Sequence, residues 1–167
     1  MNKEVYNEKR LNFKSKVETL FKYLVDEYNY VSSYKEHKQP NGFVTSDIFI
    51  YKNANRIINI SNNYHPNDYG FELEIIDSSQ RSSNVLRKKL VFMVLKKRQC
   101  VDQKYLNVKS KELKTKYEDI LTGKKFFDDA IQYSITKSKK PNQIKVILLW
   151  IIGVTLLFFI QKIFKKT

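Results

Sequence analysis

Cysteine, histidine, glycine and proline are all scarce in this chain of 167 residues. The single cysteine, Cys100, excludes an internal disulfide and is typical of a protein in a reducing compartment. The two histidines, His37 and His65, are not at metal-ligand spacing from each other or from Cys100, so we expect no metal site and no cofactor. Four glycines scattered over the chain are too few to build a glycine-rich phosphate-binding loop.

Recognisable catalytic groups are few as well. His65 precedes Asp68 in "YHPNDYG", which has the residue types of a general-base pair, but the neighbouring proline, asparagine and glycine are typical of a turn. Asp128 and Asp129 favour the start of a helix, where carboxylates stabilise the positive end of the helix dipole. Cys100 follows the basic run "KKR", yet no general base accompanies it. The sequence therefore predicts a protein that is not an enzyme.

Charge is absent from one stretch near the end of the chain. Residues 146–160 form a run of 15 positions without a charged side chain. Extended to residues 144–164, the segment has 21 residues and would span roughly 31 Å as a helix, which matches a bilayer hydrocarbon core of about 30 Å. We therefore predict a transmembrane helix at residues 144–164, with its apolar surface supplied by Ile144, Val146, Ile147, Leu148, Leu149, Trp150, Ile151, Ile152, Val154, Leu156, Leu157, Phe158, Phe159 and Ile160.

The opposite end of the chain has no apolar run. The first residues, "MNKEVYNEKRLNFKSK", lack the features of a signal peptide. The sequence therefore predicts a single-pass, tail-anchored membrane protein: a cytoplasmic domain at residues 1–133, a polar linker at 134–143, the span at 144–164 and a short basic tail at 165–167.

Acidic residues are outnumbered, and the excess of positive charge is concentrated. The formal net charge is +14, and residues 81–116 contain 12 basic and two acidic side chains. Three partners would suit such a segment besides water: anionic lipid headgroups, an acidic protein, or nucleic acid. Nucleic acid is the least expected of these, because no nucleic-acid-binding motif is present. The candidate basic interaction face consists of Arg87, Lys88, Lys89, Lys96, Lys97 and Arg98.

Hydrophobic periodicity predicts an α+β domain ahead of the membrane segment. Apolar residues recur at helical spacing over residues 4–30, which indicates an amphipathic helix. Three β-rich stretches, "FVTSDIFIYKN", "ANRIINISNNY" and "FELEIID", follow with short connections and predict a three-stranded antiparallel meander. In the last stretch, Phe71, Leu73 and Ile75 should face the core, whereas Glu72 and Glu74 should face away from it.

Helices are predicted to complete the domain. Residues 84–98 fit either a strand or a helix; Leu86, Leu90 and Val94 have helical spacing, so we predict a helix. A second helix is expected over residues 110–122, with Gly123 as its C-cap. A short final helix carrying Phe126, Phe127 and Ile131 should close the core.

This order of elements supports a resemblance. A long amphipathic helix leads into "IFIYKNANRIINISNNYHPNDYGFELEIID", and a later helical segment ends in "YEDILTGKKFF". Over about residues 5–130 the chain resembles the small bacterial immunity-type proteins found beside polymorphic toxins. The resemblance implies that the domain binds a protein, such as a toxin, and does not catalyse a reaction.

The leading hypothesis is therefore a tail-anchored domain that binds a protein partner. If the basic segment does not serve as the contact, Tyr51, Tyr64 and Tyr69 of the meander are the next candidate partner face. The alternative is a membrane-acting effector, in which the soluble domain senses a signal and the helix perturbs the bilayer. An enzyme presented at the membrane is a third hypothesis.

Overall fold

The protein builds its fold around one antiparallel sheet. The structure, a computed structural model, describes residues 3–65, 70–79 and 85–134, the side chain of residue 134 excepted. The elements in chain order are α1 (Lys3–Leu20), α2 (Tyr23–Asp26), β1 (Val31–Lys38), β2 (Val44–Lys52), β3 (Arg56–Asn63), β4 (Gly70–Asp77), β5 (Val85–Leu95), a 3-10 helix (Lys96–Arg98), α3 (Tyr105–Lys116), α4 (Glu118–Leu121) and β6 (Ile131–Ser134).

Each strand pairs with its neighbour in sequence, so the strand order in the sheet is β1-β2-β3-β4-β5-β6. All five pairings are antiparallel. The predicted meander is confirmed as β2, β3 and β4, and it forms the centre of a sheet with six strands instead of three. The α+β class is confirmed as well.

The helices pack on one face of the sheet. Phe13 and Val17 of α1, Leu24 of α2, Leu113 of α3 and Leu121 of α4 are fully buried and belong to one core cluster. The sheet contributes the alternate residues that point toward the helices, among them Ile58, Ile60, Phe71, Leu73 and Ile75, each with no exposed surface. The predicted inward set of β4 is therefore confirmed, and Glu72 and Glu74 lie half-buried on the opposite face.

The helix predicted for residues 84–98 is wrong, because the structure forms strand β5 there. A bulge shifts the register of the β4–β5 pairing between Leu73 and Glu74, and it changes the alternation of faces along β5. Leu86 and Leu90 therefore lie on the face away from the helices, whereas Val94 pairs with Phe71 on the helix side. The i, i+4 spacing of these three apolar residues resembles a helix but arises from a bulged strand.

Strand β1 was not predicted. Its sequence, "VSSYKEHK", shows no apolar alternation, and seven of its eight residues are exposed. Among the described strands, β1 pairs only with β2 and lies at the edge of the sheet, so few of its side chains need to be apolar. The helix predicted over residues 4–30 is correspondingly shorter: α1 ends at Leu20 and α2 at Asp26.

The C-terminal helices are confirmed in part. The helix predicted over residues 110–122 is present as α3 and α4, with a break at Tyr117, whose φ is −121°. Gly123 follows α4 with a φ of +84°, as expected of a C-cap glycine. The short final helix is wrong: Phe126 and Phe127 pack on the core without a helix, and Ile131 begins β6.

No helix among the described residues is long and apolar enough to cross a membrane. The predicted span at residues 144–164 and the linker from residue 135 onward lie outside the described residues.

Candidate functional site: the open face of the sheet and the edge of β5

The face of the sheet that points away from the helices is not covered by any described helix. Cross-strand pairing aligns its side chains in rows: one row runs Ser33, Ile50, Asn59, Glu74, Leu90, and the next runs Lys35, Ile48, Ser61, Glu72, Met93. We call this surface the open face. Its half-buried or exposed apolar side chains include Ile48, Ile50, Ile57, Leu86, Leu90 and Met93, and Ile76 on the same face is buried.

Acidic side chains lie at the centre of the open face. Glu72 and Glu74 line a depression of about 190 Å³, together with Ile48 and Leu90 from the strands on either side. The ammonium group of Lys88 donates a hydrogen bond to Glu74 at 3.0 Å, and this bond raises the pKa of Lys88. The centre is therefore polar and partly neutralised, with apolar columns from β2 and β5 on its two sides.

The candidate basic residues do not share one face. Lys88 lies on the open face, whereas its neighbours point to the helix side: Arg87 donates to the carbonyl of Phe127 at 2.6 Å, and Lys89 forms an ion pair with Asp129. The second group, Lys96–Arg98, forms the 3-10 helix after β5. Because Lys89 and Lys96 are seven residues apart along an extended strand, the two groups are separated by roughly 23 Å.

The two basic groups also differ in their partners. Arg87, Lys88 and Lys89 each bind a carbonyl or carboxylate group. Lys96, Lys97 and Arg98 form no ion pair with any described residue, and the last two are exposed. Lys9 of α1 adds to this charge: its side chain is buried, and burial, followed by the nearby charge of Lys96, lowers its pKa.

Strand β5 has an edge that is covered along only part of its length. Strand β6 pairs with residues Val85 to Lys88, and no other described strand pairs on that side of β5. The backbone from Lys89 to Leu95 therefore has no strand partner there in the described part of the chain. This stretch is "KLVFMVL", in which Leu90 and Met93 are 44% and 46% exposed.

Two of the three candidate partner tyrosines are buried. Tyr51 is 3% exposed and belongs to the core cluster. Tyr64 is 6% exposed, and its hydroxyl donates to Asp47 at 2.8 Å. Tyr69 lies outside the described residues. A partner that contacts the folded domain therefore meets side chains other than Tyr51 and Tyr64.

Asp47 is the centre of a buried polar network on the helix side of the sheet. Arg10 donates to both carboxylate oxygens, from Nε at 2.9 Å and from a terminal nitrogen at 2.7 Å. The hydroxyl groups of Tyr34 and Tyr64 donate to the same carboxylate. These bonds raise the pKa of Arg10, and burial raises the pKa of Tyr64. Since every partner of Asp47 is a donor within the domain, the network stabilises α1 on β1–β3.

Sequence reasoning missed this network, although one signal was present. In "VTSDIFIYK" the strand alternation puts Asp47 on the same face as Phe49 and Tyr51, which are both 3% exposed. A carboxylate on an apolar face needs donors. Its main cation, Arg10, is 37 residues away in sequence, so spacing gives no indication of the pairing.

The other candidate catalytic and metal-binding residues are not brought together into a site among the described residues. Cys100 is exposed, and His37 is an exposed residue of β1. Asp68, the residue suggested as a partner of His65, lies outside the described residues. Asp129 pairs with Lys89 in the turn before β6 instead of starting a helix. Among residues 3–65, 70–79 and 85–134, no group of three or more His, Cys, Asp or Glu side chains is arranged to hold a metal ion.

Comparison of the chain with protein-family models, with curated proteins and with solved structures finds no match.

Proposed function

We propose that this protein is a protein-binding domain held at a membrane by residues 144–164. The observation that carries the proposal is the open face, on which Leu90, Met93 and half-buried isoleucines lie beside the acidic pair Glu72 and Glu74. Exposed apolar side chains bordered by polar residues are typical of an interaction site.

The size and shape of the open face favour a protein over a small molecule. Six strands at about 4.8 Å spacing make a face roughly 24 Å wide, and eight-residue strands are roughly 26 Å long. The resulting area, on the order of 600 Å², is close to the roughly 800 Å² that each partner buries in a standard protein–protein interface. A small ligand is usually enclosed in a pocket of about 300–1,000 Å³. The depression at Glu72 and Glu74 has about 190 Å³, and the hollow of about 780 Å³ beside Ser33 and Ile50 is open to solvent and does not enclose a ligand.

Two sequence features support membrane attachment and a toxin as the partner. The uncharged run at residues 146–160 supports attachment to a membrane. The resemblance to immunity-type proteins over about residues 5–130 supports a toxin as the partner, which the domain would neutralise by binding it. In this role the protein performs no catalysis, and protection would act at the membrane surface.

Affinity capture of the full chain from detergent-solubilised cells tests the proposal. A partner that uses the open face should be captured by the parent protein and lost with Leu90→Asn and Met93→Asn. The matched controls are Leu11→Asn and Val108→Asn, because these side chains are 67% and 63% exposed on the helix side. Circular dichroism of all four variants would verify that they fold.

A partner that binds all four variants equally would contradict the open face as the contact. If the captured protein is a toxin encoded by a neighbouring gene, the two open-face variants should also fail to protect cells from it. Full protection by those variants would overturn the immunity role while leaving the capture result intact.

A further inference from the structure

The two outer edges of the described sheet differ in how they are protected against strand addition. Edge strand β1 includes Lys35, Glu36 and Lys38 among its eight residues, and charged side chains on an edge strand discourage pairing with another chain. The uncovered part of β5, from Leu90 to Leu95, has no charged residue. Its β-branched and aromatic composition has high strand propensity.

The chain itself does not extend its pairing along this edge through β6. Strand β6 runs antiparallel to β5, with Ile131 opposite Lys88 and Ser134 opposite the start of β5. Within the described residues, β6 therefore runs away from Leu90–Leu95. Backbone N–H and C=O groups on an unpaired edge provide a row of hydrogen-bond donors and acceptors for an incoming strand.

Positive charge is concentrated at one end of this edge. Lys96, Lys97 and Arg98 follow Leu95 directly and make no ion pair with a described residue. At the other end, Lys88 and Lys89 already pair with Glu74 and Asp129. An incoming strand would therefore meet an apolar edge that ends in three uncompensated cations.

We propose that a partner protein adds an extended segment as a strand along Leu90–Leu95 and places acidic residues beside Lys96–Arg98. This inference rests on the proposed protein-binding role and specifies its mode: backbone pairing supplies the docking, and the cations select an acidic segment. Side chains of the added strand that point to the open face would extend its apolar column at Leu90 and Met93.

Charge argues against a second copy of this chain as the occupant. Two β5 edges that pair antiparallel would bring Lys96–Arg98 of each copy close to the Lys88 and Lys89 end of the other, where the carboxylates of Glu74 and Asp129 already bind those lysines and leave no counterion for the incoming cations. Like charges across a strand pair are destabilising, and the whole chain has a net charge of +14. An acidic segment of a different protein removes this repulsion.

A synthetic peptide can serve as the probe: a short aspartate run joined to an alternating valine–threonine segment. Two peptides are needed. The aspartates come before the apolar part in the peptide that would pair antiparallel with β5, and after it in the peptide that would pair parallel. With the full chain in detergent, hydrogen exchange should slow at Leu90–Leu95 and not at Val31–Lys38. A peptide with proline in place of one valine and of the threonine that follows it should not bind, because one of the two lost N–H groups faces β5 in either register.

The triple variant Lys96→Gln, Lys97→Gln, Arg98→Gln should weaken peptide binding about tenfold and reduce its salt dependence. The matched control is Lys3→Gln, Lys16→Gln, Lys111→Gln, which removes the same charge at helix positions with no ion pair to a described residue. The control should bind as tightly as the parent protein at physiological salt.

Three results would overturn strand addition: slowed exchange at β1 instead of β5, equal binding of the proline peptide, or protection, before any peptide is added, of the Leu90–Leu95 amides that point away from β4. Concentration-dependent protection without peptide would identify a second copy as the occupant. A captured partner that is lost with Leu90→Asn and Met93→Asn, yet keeps its affinity for the Lys96–Arg98 triple variant, would preserve the proposed function and overturn this inference alone.

Discussion

Arg10 of α1 donates hydrogen bonds to both carboxylate oxygens of Asp47 on β2, and Asp47 has no exposed surface. The same guanidinium reaches Glu36 of β1 at 2.8 Å. One arginine therefore joins the first helix to the two strands at one side of the sheet. Because the charges are buried, the pair orients α1 only as long as both partners are present.

Asp47→Asn should destabilise the domain by about 3–5 kcal/mol, because it leaves the Arg10 charge buried without its main counterion. Urea unfolding of the full chain in detergent, followed by tyrosine fluorescence, would measure the loss. Asp129→Asn is the matched control: Asp129 pairs with Lys89 at the surface, where its side chain is 70% exposed, so its removal should change stability little. Equal effects of the two substitutions would contradict the structural role of Asp47.

Stability should fall as the pH is lowered through the titration of Glu36. Hydrogen bonds from Lys38 first, and then from Tyr34 and Arg10, lower the pKa of Glu36 to about 2. The unfolded chain, with a Glu pKa of about 4.3, binds more protons between these two values, so the free energy of unfolding rises with pH there. The contribution of Glu36 is complete above the unfolded value and is lost as the pH falls toward 2.

Glu36→Gln should make unfolding less dependent on pH across this window. Urea midpoints at several pH values would measure it, with Glu8→Gln as the control that removes a carboxylate from an exposed position of α1. The same pH slope in the parent protein and in Glu36→Gln would contradict the prediction.

Leu73→Ala should cost about 2–5 kcal/mol, because Leu73 is fully buried on β4 and its truncation leaves a cavity. Leu11→Ala, the same substitution at a side chain that is 67% exposed on α1, should stay within about 0.5 kcal/mol. Chemical denaturation of both variants provides the comparison. Similar losses would mean that the helix side of β4 is not the core.

Glycine is more strictly required at Gly70 than at Gly42. At Gly70 the φ is +110°, and a Cβ atom would lie 2.8 Å from the carbonyl oxygen of Val94 and 2.9 Å from the backbone nitrogen of Lys96. At Gly42 the φ is +81°, but no atom lies within 4 Å of an added Cβ. Gly42→Ala should therefore cost only backbone strain, about 1–2 kcal/mol, whereas Gly70→Ala adds a steric clash with β5 of about 1–3 kcal/mol. Thermal unfolding would rank them, and a less stable Gly42→Ala would contradict the close approach.

The full chain should remain with membranes after alkaline carbonate and high-salt washes, because the run at residues 146–160 contains no charged side chain. The chain truncated after residue 138 should appear in the wash. Fractionation with antibody detection measures both. Release of the full chain by carbonate would mean that residues 144–164 do not span the bilayer.

Alternation and periodicity in the sequence were sufficient to predict α1, the three central strands and the inward side chains of β4. These elements have one apolar face each, and burial of that face depends on local pattern alone. The run without charged side chains at residues 146–160 is also a local feature, since the length and polarity of a segment decide whether it can span a bilayer, and the span at residues 144–164 stays a prediction.

Tertiary structure decided the identity of β5, the existence of β1 and the partners of each charge. A bulge opposite Leu73 and Glu74 places Leu86 and Val94 on different faces, and no local pattern distinguishes that from a helix. Strand β1 forms because its backbone pairs with that of β2, not because its own side chains need burial. Arg10 lies beside Asp47 only after α1 packs on the sheet. Lys96–Arg98 lie at the end of an uncovered sheet edge only after β5 pairs with β4. Hydrogen bonds and charges act between neighbours in space, so their pairing is a property of the fold and not of the order of residues.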